Sequence, residues 1–220
     1  MWHFRERLLY AVCLLFAIGF PAGCGTAASD GSTVTPAFTG IVASCAEVAA
    51  PAMNAVQAYT GELYSEAVEF EESTPGQTRP GFTEKRCQAS YVAPASPPAS
   101  HSTNSPIRRV FYLRIAVRLG DDPVAAAERH IDSACESADE CRITTGIGDE
   151  SFDATVVTSF STAMTTFRES NAIVSVAVDG ANYSSRPGEL SQDPDISDLA
   201  PGARAVAEAM VADLGAFLVS

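Results

Sequence analysis

The stretch RVFYLRIAVRL, Arg109 to Leu119, alternates apolar and more polar side chains through most of its length. Phe111, Leu113, Ile115 and Val117 point one way, and Tyr112, Arg114 and Arg118 the other. Successive side chains of a strand leave on opposite faces, so this period of two predicts a strand with one face in a core.

Two stretches upstream carry weaker versions of the same signal. Lys85 to Val92 puts Cys87, Ala89 and Tyr91 on one side, as a partner strand would. Leu63 to Glu72 alternates loosely, with Tyr64, Val68 and Phe70 on a side interrupted by Glu66, and reads as a further strand with one solvated face. Downstream, Phe152–Ser159, Ala163–Arg168 and Ala172–Val178 are expected strands, joined by a hairpin turn at Glu169-Ser170-Asn171 and closed by Asp179-Gly180.

Three segments have helical period instead. Ser44-Cys45-Ala46-Glu47 matches a capping box, in which Ser and Glu each satisfy the other's free backbone donor. A helix is predicted from there to Thr60, stopped by Gly61, with Cys45, Val48, Ala49, Ala52, Met53, Val56 and Tyr59 on one face and a possible kink at Pro51. Asp121-Asp122-Pro123 opens a second helix, buried through Val124, Ala127, Ile131 and Ala134 and ending at Cys135. Pro201 to Val219 is the third, with Val206, Met210, Leu214, Phe217 and Leu218 in phase. Helix, strands, helix, meander and helix imply an α+β domain: a mainly antiparallel sheet with helices packed on one face.

The N-terminus bears on location. Arg5 and Arg7 precede an uncharged, mostly apolar run from Leu8 to Phe20, which is shorter than the roughly 20 residues a membrane-spanning helix needs. Ala22 and Gly23 stand before Cys24 and resemble a bacterial lipobox, although Pro21 occupies a position where that pattern usually has Leu. The resemblance implies a signal peptide over residues 1–23 and acyl chains, palmitate among them, on Cys24; the plainer alternative is secretion after cleavage near Ala22 or Ala27. Residues 24–38, rich in small and polar side chains, read as a flexible tether, and 39–220 as one extracytoplasmic domain. The expected location is the outer face of the cell membrane, held by the lipid anchor.

Without residues 1–23, which hold two Arg and one Glu, the 14 basic and 27 acidic residues become 12 and 26, a net charge of −14 with His neutral. Such a chain cannot hold a phosphate backbone by releasing counterions, so nucleic acid is not an expected partner. Cys45, Cys87, Cys135 and Cys141 are then an even set in an exported chain and read as two disulfides. Of three connectivities, Cys45–Cys87 with Cys135–Cys141 is preferred, because the second pair can close locally. No CxxC exists and neither His101 nor His130 stands at ligand spacing from a cysteine, so no metal or cofactor is expected.

Further along, SCAEVAAP at the first helix, RCQASY in a strand and a GIGDES turn before a meander complete a familiar order. Together with the lipobox and tether they resemble an actinobacterial lipoprotein family of unknown function and, more loosely, the extracellular sensor domains of mycobacterial receptor Ser/Thr kinases. The departure is Ala43-Ser44, where the family often has Asp-Pro before the first Cys. The resemblance implies a cell-envelope module that binds a ligand or a partner, and it carries over no catalytic residue.

Candidate chemistry is sparse. On a helix His130 faces Ala126, Ala127, Ser133 and Ala134 and no carboxylate, and His101 sits in a Pro/Ser-rich loop. Gly146, Gly148 and Asp149 form a turn that could stand close to a ligand. Asp193, Asp195 and Asp198 lack the Gly and Glu of an EF-hand loop, and Glu66, Glu69, Glu71 and Glu72 read as a solvated face. Asn182-Tyr183-Ser184 has the form of a glycosylation acceptor. The favoured function is a binding or sensing module with an apolar pocket or patch for a cell-wall, lipid or protein ligand. The alternatives are a structural interaction protein and, behind it, a hydrolase using His101 or His130.

Overall fold

The computed structural model describes residues 37–42, 44–73, 77–93, 105–157, 161–184 and 189–220. The signal segment, Cys24, most of the tether and His101 lie outside the described residues. Ala37 and Phe38, assigned above to the tether, belong to the folded domain. Phe38 is buried, its N–H donates to Oδ1 of Asn171 at 3.0 Å, and its carbonyl accepts from the same amide at 2.8 Å.

The alternating stretch becomes β5 (Pro106–Arg118), flanked in space by β4 (Phe82–Val92) and β9 (Ala172–Tyr183). The sheet runs β2-β4-β5-β9-β8-β7-β6, with β2 (Glu71–Glu72), β8 (Ser161–Glu169), β7 (Glu150–Val157) and β6 (Glu140–Thr144). β3 (Gln77–Arg79) adds to β4 and β10 (Ser191–Gln192) to the far end of β9. Every pairing is antiparallel, and a separate two-residue ladder joins β1 (Gly40–Ile41) to β11 (Leu218–Val219).

One face of the sheet carries the main core. Phe111, Leu113, Ile115 and Val117 of β5 meet Val174, Val176 and Val178 of β9, with each of these side chains almost wholly buried. Over them lie α1 (Cys45–Ala49), α2 (Met53–Thr60) and α4 (Ile196–Ala212), so the chain adopts the expected α+β architecture, an antiparallel sheet with these helices packed on one face. The capping box at Ser44 and Glu47 is present as read. Pro51 lies in a 3-10 turn, Ala50–Ala52, that separates α1 from α2. Gly202 lets α4 approach α2: a Cβ there would meet the ring of Tyr59 at 2.6 Å, while the Tyr59 hydroxyl donates to the Asp198 carbonyl.

A smaller layer covers part of the other face. There α3 (Pro123–Glu136), capped by Asp122, sets Ala127 against Ala116 and Ile173, and Ile131 against Phe152 and Ala154. The two disulfides join Cys45 to Cys87 and Cys135 to Cys141, with Cα atoms 5.6 and 5.5 Å apart. The preferred connectivity is therefore the one formed.

Several readings need correction, among them the strand end expected at Asp179-Gly180: β9 runs on through both to Tyr183. Leu63–Glu72 is no strand apart from Glu71–Glu72: a 3-10 turn at Gly61–Leu63 and a turn closed from Val68 to Ser65 replace it. Its alternation arises because Tyr64, Val68 and Phe70 each turn toward the main core from an irregular segment. The last helix begins at Ile196 on an Asp195 cap and stops at Ala212, because Leu218 and Val219 leave to pair with β1. Ser191 and Gln192, which carry no strand signal in the sequence, form β10. β6 carries no strand signal in the sequence, since its side chains are nearly all exposed and show no alternation of burial.

Candidate functional site

Where β5 starts and β9 ends, a buried polar network forms the floor of a cleft. Arg109 is 5% exposed, so its charge needs internal partners. Its guanidinium donates to the carbonyls of Arg108 and Ala181 at 2.8 and 3.1 Å and to Oδ1 of Asn182 at 2.8 Å. Asn182 passes the contact to Oδ2 of Asp198 at 3.4 Å. Asn182 is thereby buried and committed, so it cannot serve as the glycosylation acceptor its motif suggested.

Above this floor opens a cleft of about 1040 Å³, bounded by Val92 and Ile107 at one wall and the segment from Glu189 to Asp198 at the other. Carboxylates of Glu189, Asp193, Asp195 and Asp198 line it, against the single guanidinium of Arg108. The amides of Asn182 and Gln192 and the hydroxyls of Ser191 and Ser197 complete a lining of hydrogen-bonding groups. Asp195 is occupied in capping α4, where Oδ1 accepts from the Ser197 N–H at 3.0 Å. The expected apolar pocket is thus not the character of this cleft. Such a lining suits a hydroxyl-rich or cationic ligand, because an anion would meet four carboxylates. The Asp193, Asp195, Asp198 motif, which lacks the Gly and Glu of an EF-hand loop, lines this cleft. Among the described residues no group of three or more His, Cys, Asp or Glu side chains is placed to hold a metal ion.

Gly146, Gly148 and Asp149 lie elsewhere, beside the β8–β9 hairpin. Gly148 has φ +60° and a Cβ would meet the Arg168 carbonyl at 2.4 Å, so only glycine fits. Ile147 between the two glycines plugs the core. Asp149 Oδ2 accepts from Arg168 at 2.9 Å and from the Ser170 N–H at 2.8 Å, which holds Ser170 at its unusual φ of +51°. Arg168 is itself buried and also pairs with Glu150 at 3.1 Å and Glu128 at 3.8 Å. Burial opposes its charge, but the hydrogen bond and charge of Glu150, then Asp149 and Glu128, outweigh that and raise its pKa. The turn's visible work is to fasten the β8–β9 hairpin.

His130 finds a partner that helix spacing could not show. Its Nδ1 lies 2.7 Å from an Arg118 nitrogen, so the ring accepts there and is neutral. Burial, then Arg118 and Arg114, lower its pKa. It is therefore turned toward cations, and among the described residues no carboxylate or hydroxyl hydrogen-bonds to it as a proton relay requires. Glu66, Glu69, Glu71 and Glu72 are all exposed.

Set against protein-family models, curated proteins and solved structures, the chain matches none.

Proposed function

We propose that the chain is a lipid-anchored, extracytoplasmic binding or sensing module that works by holding a polar ligand in the cleft at the end of β5 and β9. The observation that carries this reading is the cleft's lining: hydrogen-bonding side chains over a rigid buried floor built on Arg109 and Asn182. Rigid floors with a few convergent polar groups favour binding, since little order remains to be imposed when a ligand arrives. Its excess of carboxylates selects a saccharide-like or cationic ligand of the envelope in place of the lipid-like one that an apolar pocket would take. Anchoring at Cys24 and an oxidising surrounding are consistent with the two disulfides.

The test is saturation-transfer NMR of the purified protein with soluble envelope saccharides and with a polyamine, comparing the native chain with Asp193→Ala. Asp193 is exposed in the cleft and its side chain makes no hydrogen bond among the described residues, so the variant should fold normally. Transfer to one of these probes that Asp193→Ala weakens supports the cleft. Transfer unaffected by the substitution, or absent with every probe, refutes it.

A second reading, a protein-interaction module, has one observation behind it. β6 lies at the edge of the sheet's main path, and Ile143 on it is 73% exposed.

A further inference from the structure

The outer faces of β4 and β5 collect arginines. The register sets Arg86 directly opposite Arg114, and Phe82 opposite Arg118. Like charges facing each other across two strands repel, so the first pairing needs a counter-ion. Glu84 supplies it: its side chain is 3% exposed, and it takes Arg86 Nε on one oxygen and Arg114 on the other at 2.8 and 3.0 Å. One carboxylate held between two guanidiniums leaves one positive charge over.

Arg118 adds a second. Its guanidinium stacks on the Phe82 ring at 4.6 Å and is turned to the neutral imidazole of His130. Its Nε is buried and has no acceptor among the described residues. Arg86 and Arg114 stay open to solvent, at 44% and 37% of their side-chain surface. A chain with net charge −14 beyond residue 23 thus concentrates two uncompensated positive charges on one small area of sheet.

We infer that the Arg86, Arg114 and Arg118 face is a binding site for a small soluble phosphoryl dianion. Guanidinium forks match phosphoryl oxygens in shape, and two excess charges match a dianion. The acidity of the rest of the chain selects the size of the ligand. A compact anion meets only the local arginines, whereas an extended anionic membrane surface would also meet the surrounding carboxylates. The site shares no residue with the cleft, so each can fail without the other.

The experiment is a titration of the purified protein with inorganic pyrophosphate, read from the arginine Nε–H resonances in a nitrogen–proton correlation spectrum. Saturable shifts confined to Arg86, Arg114 and Arg118 are expected. Arg86→Gln should weaken binding about tenfold, the loss of one charge-assisted hydrogen bond. Arg204→Gln, which removes a guanidinium paired with Asp153 and Glu208, should leave it unchanged. Glu84→Gln, which keeps the shape and removes the competing carboxylate, should tighten it severalfold. That direction separates a ligand site from a merely structural ion cluster. The proposal is overturned by an absence of saturable shifts at millimolar pyrophosphate, by equal weakening in Arg204→Gln, or by weaker binding in folded Glu84→Gln. It is likewise overturned if phosphatidylcholine vesicles doped with phosphatidic acid bind the protein and pyrophosphate does not compete.

Discussion

Removing the two disulfides one at a time should produce unequal losses whose ratio is set by sequence separation. Cys45 and Cys87 are 42 residues apart, and Cys135 and Cys141 are 6 apart. On the chain-entropy account, closing the longer loop stabilises the fold by about 4 kcal/mol and the shorter by about 2 kcal/mol. Packing widens the gap. Cys87 is fully buried and Cys45 nearly so, and replacing both with Ala leaves a small cavity worth about 1 kcal/mol more. Cys141 is exposed and Cys135 half-buried, so no comparable void follows there.

Cys45→Ala/Cys87→Ala should therefore cost about 5 kcal/mol, a large part of the 5–15 kcal/mol (roughly) that holds a domain together. Cys135→Ala/Cys141→Ala should cost about 2 kcal/mol. The chain's single Trp is Trp2, so urea unfolding is best followed by far-ultraviolet circular dichroism. With a slope of about 2 kcal/mol per molar urea, the midpoints should fall by about 2.5 M and about 1 M. Equal losses, or a larger loss for the short loop, would refute the loop-closure reasoning. Free thiols at Cys45 or Cys87 in the native protein would refute the bond itself.

Three further outcomes follow from buried polar groups. Tyr91 is wholly buried, its hydroxyl has no partner among the described residues, and burial, with Tyr64 beside it, pushes its pKa up to about 12. Tyr91→Phe should leave the melting temperature unchanged or raise it, because no hydrogen bond is lost. Arg168→Met should cost about 3 kcal/mol in urea unfolding, since it leaves Asp149, Glu150 and the Ser170 carbonyl without their shared donor. His130 has a folded pKa below its unfolded value of about 6.5, so the unfolded state binds more protons as the pH falls through that window. Stability should drop on acidification below about pH 6.5 and drop less in His130→Gln, measured by urea midpoints at pH 5 and pH 7.

Features that depend on residues close in sequence were readable. The Ser44–Glu47 box, the Asp122 cap with Pro123 after it, and the alternation of β5 each need only a few consecutive positions. The fold class followed from their order. The disulfide pairing followed because six residues suffice to close one loop. Where the reading failed, tertiary packing decided. Tyr64, Val68 and Phe70 mimic a strand's period while anchoring a loop, and Pro201, exposed on the sixth residue of α4, looks like a helix start. Neither candidate site was legible as a whole: Asp193, Asp195 and Asp198 stand out as an acidic cluster, but the cleft they line does not. Arg86, Glu84 and Arg114 read as the solvated side of two strands until register placed them together. Arg109 and Asn182 meet across 73 residues, a separation that no local pattern encodes.

The short ladder between β1 and β11 sets Gly40 against Val219, near the last residue of the chain. The two ends of the folded body therefore leave it side by side. A loop of a few residues from Ser220 to Ala37 could splice them, and the chain could then be reopened at another surface turn with the same body retained. By the same geometry, a reporter fused after Ser220 would hang beside whatever leads in at residue 37, and trimming Leu218 and Val219 would unfasten the entrance to the domain as well as its exit.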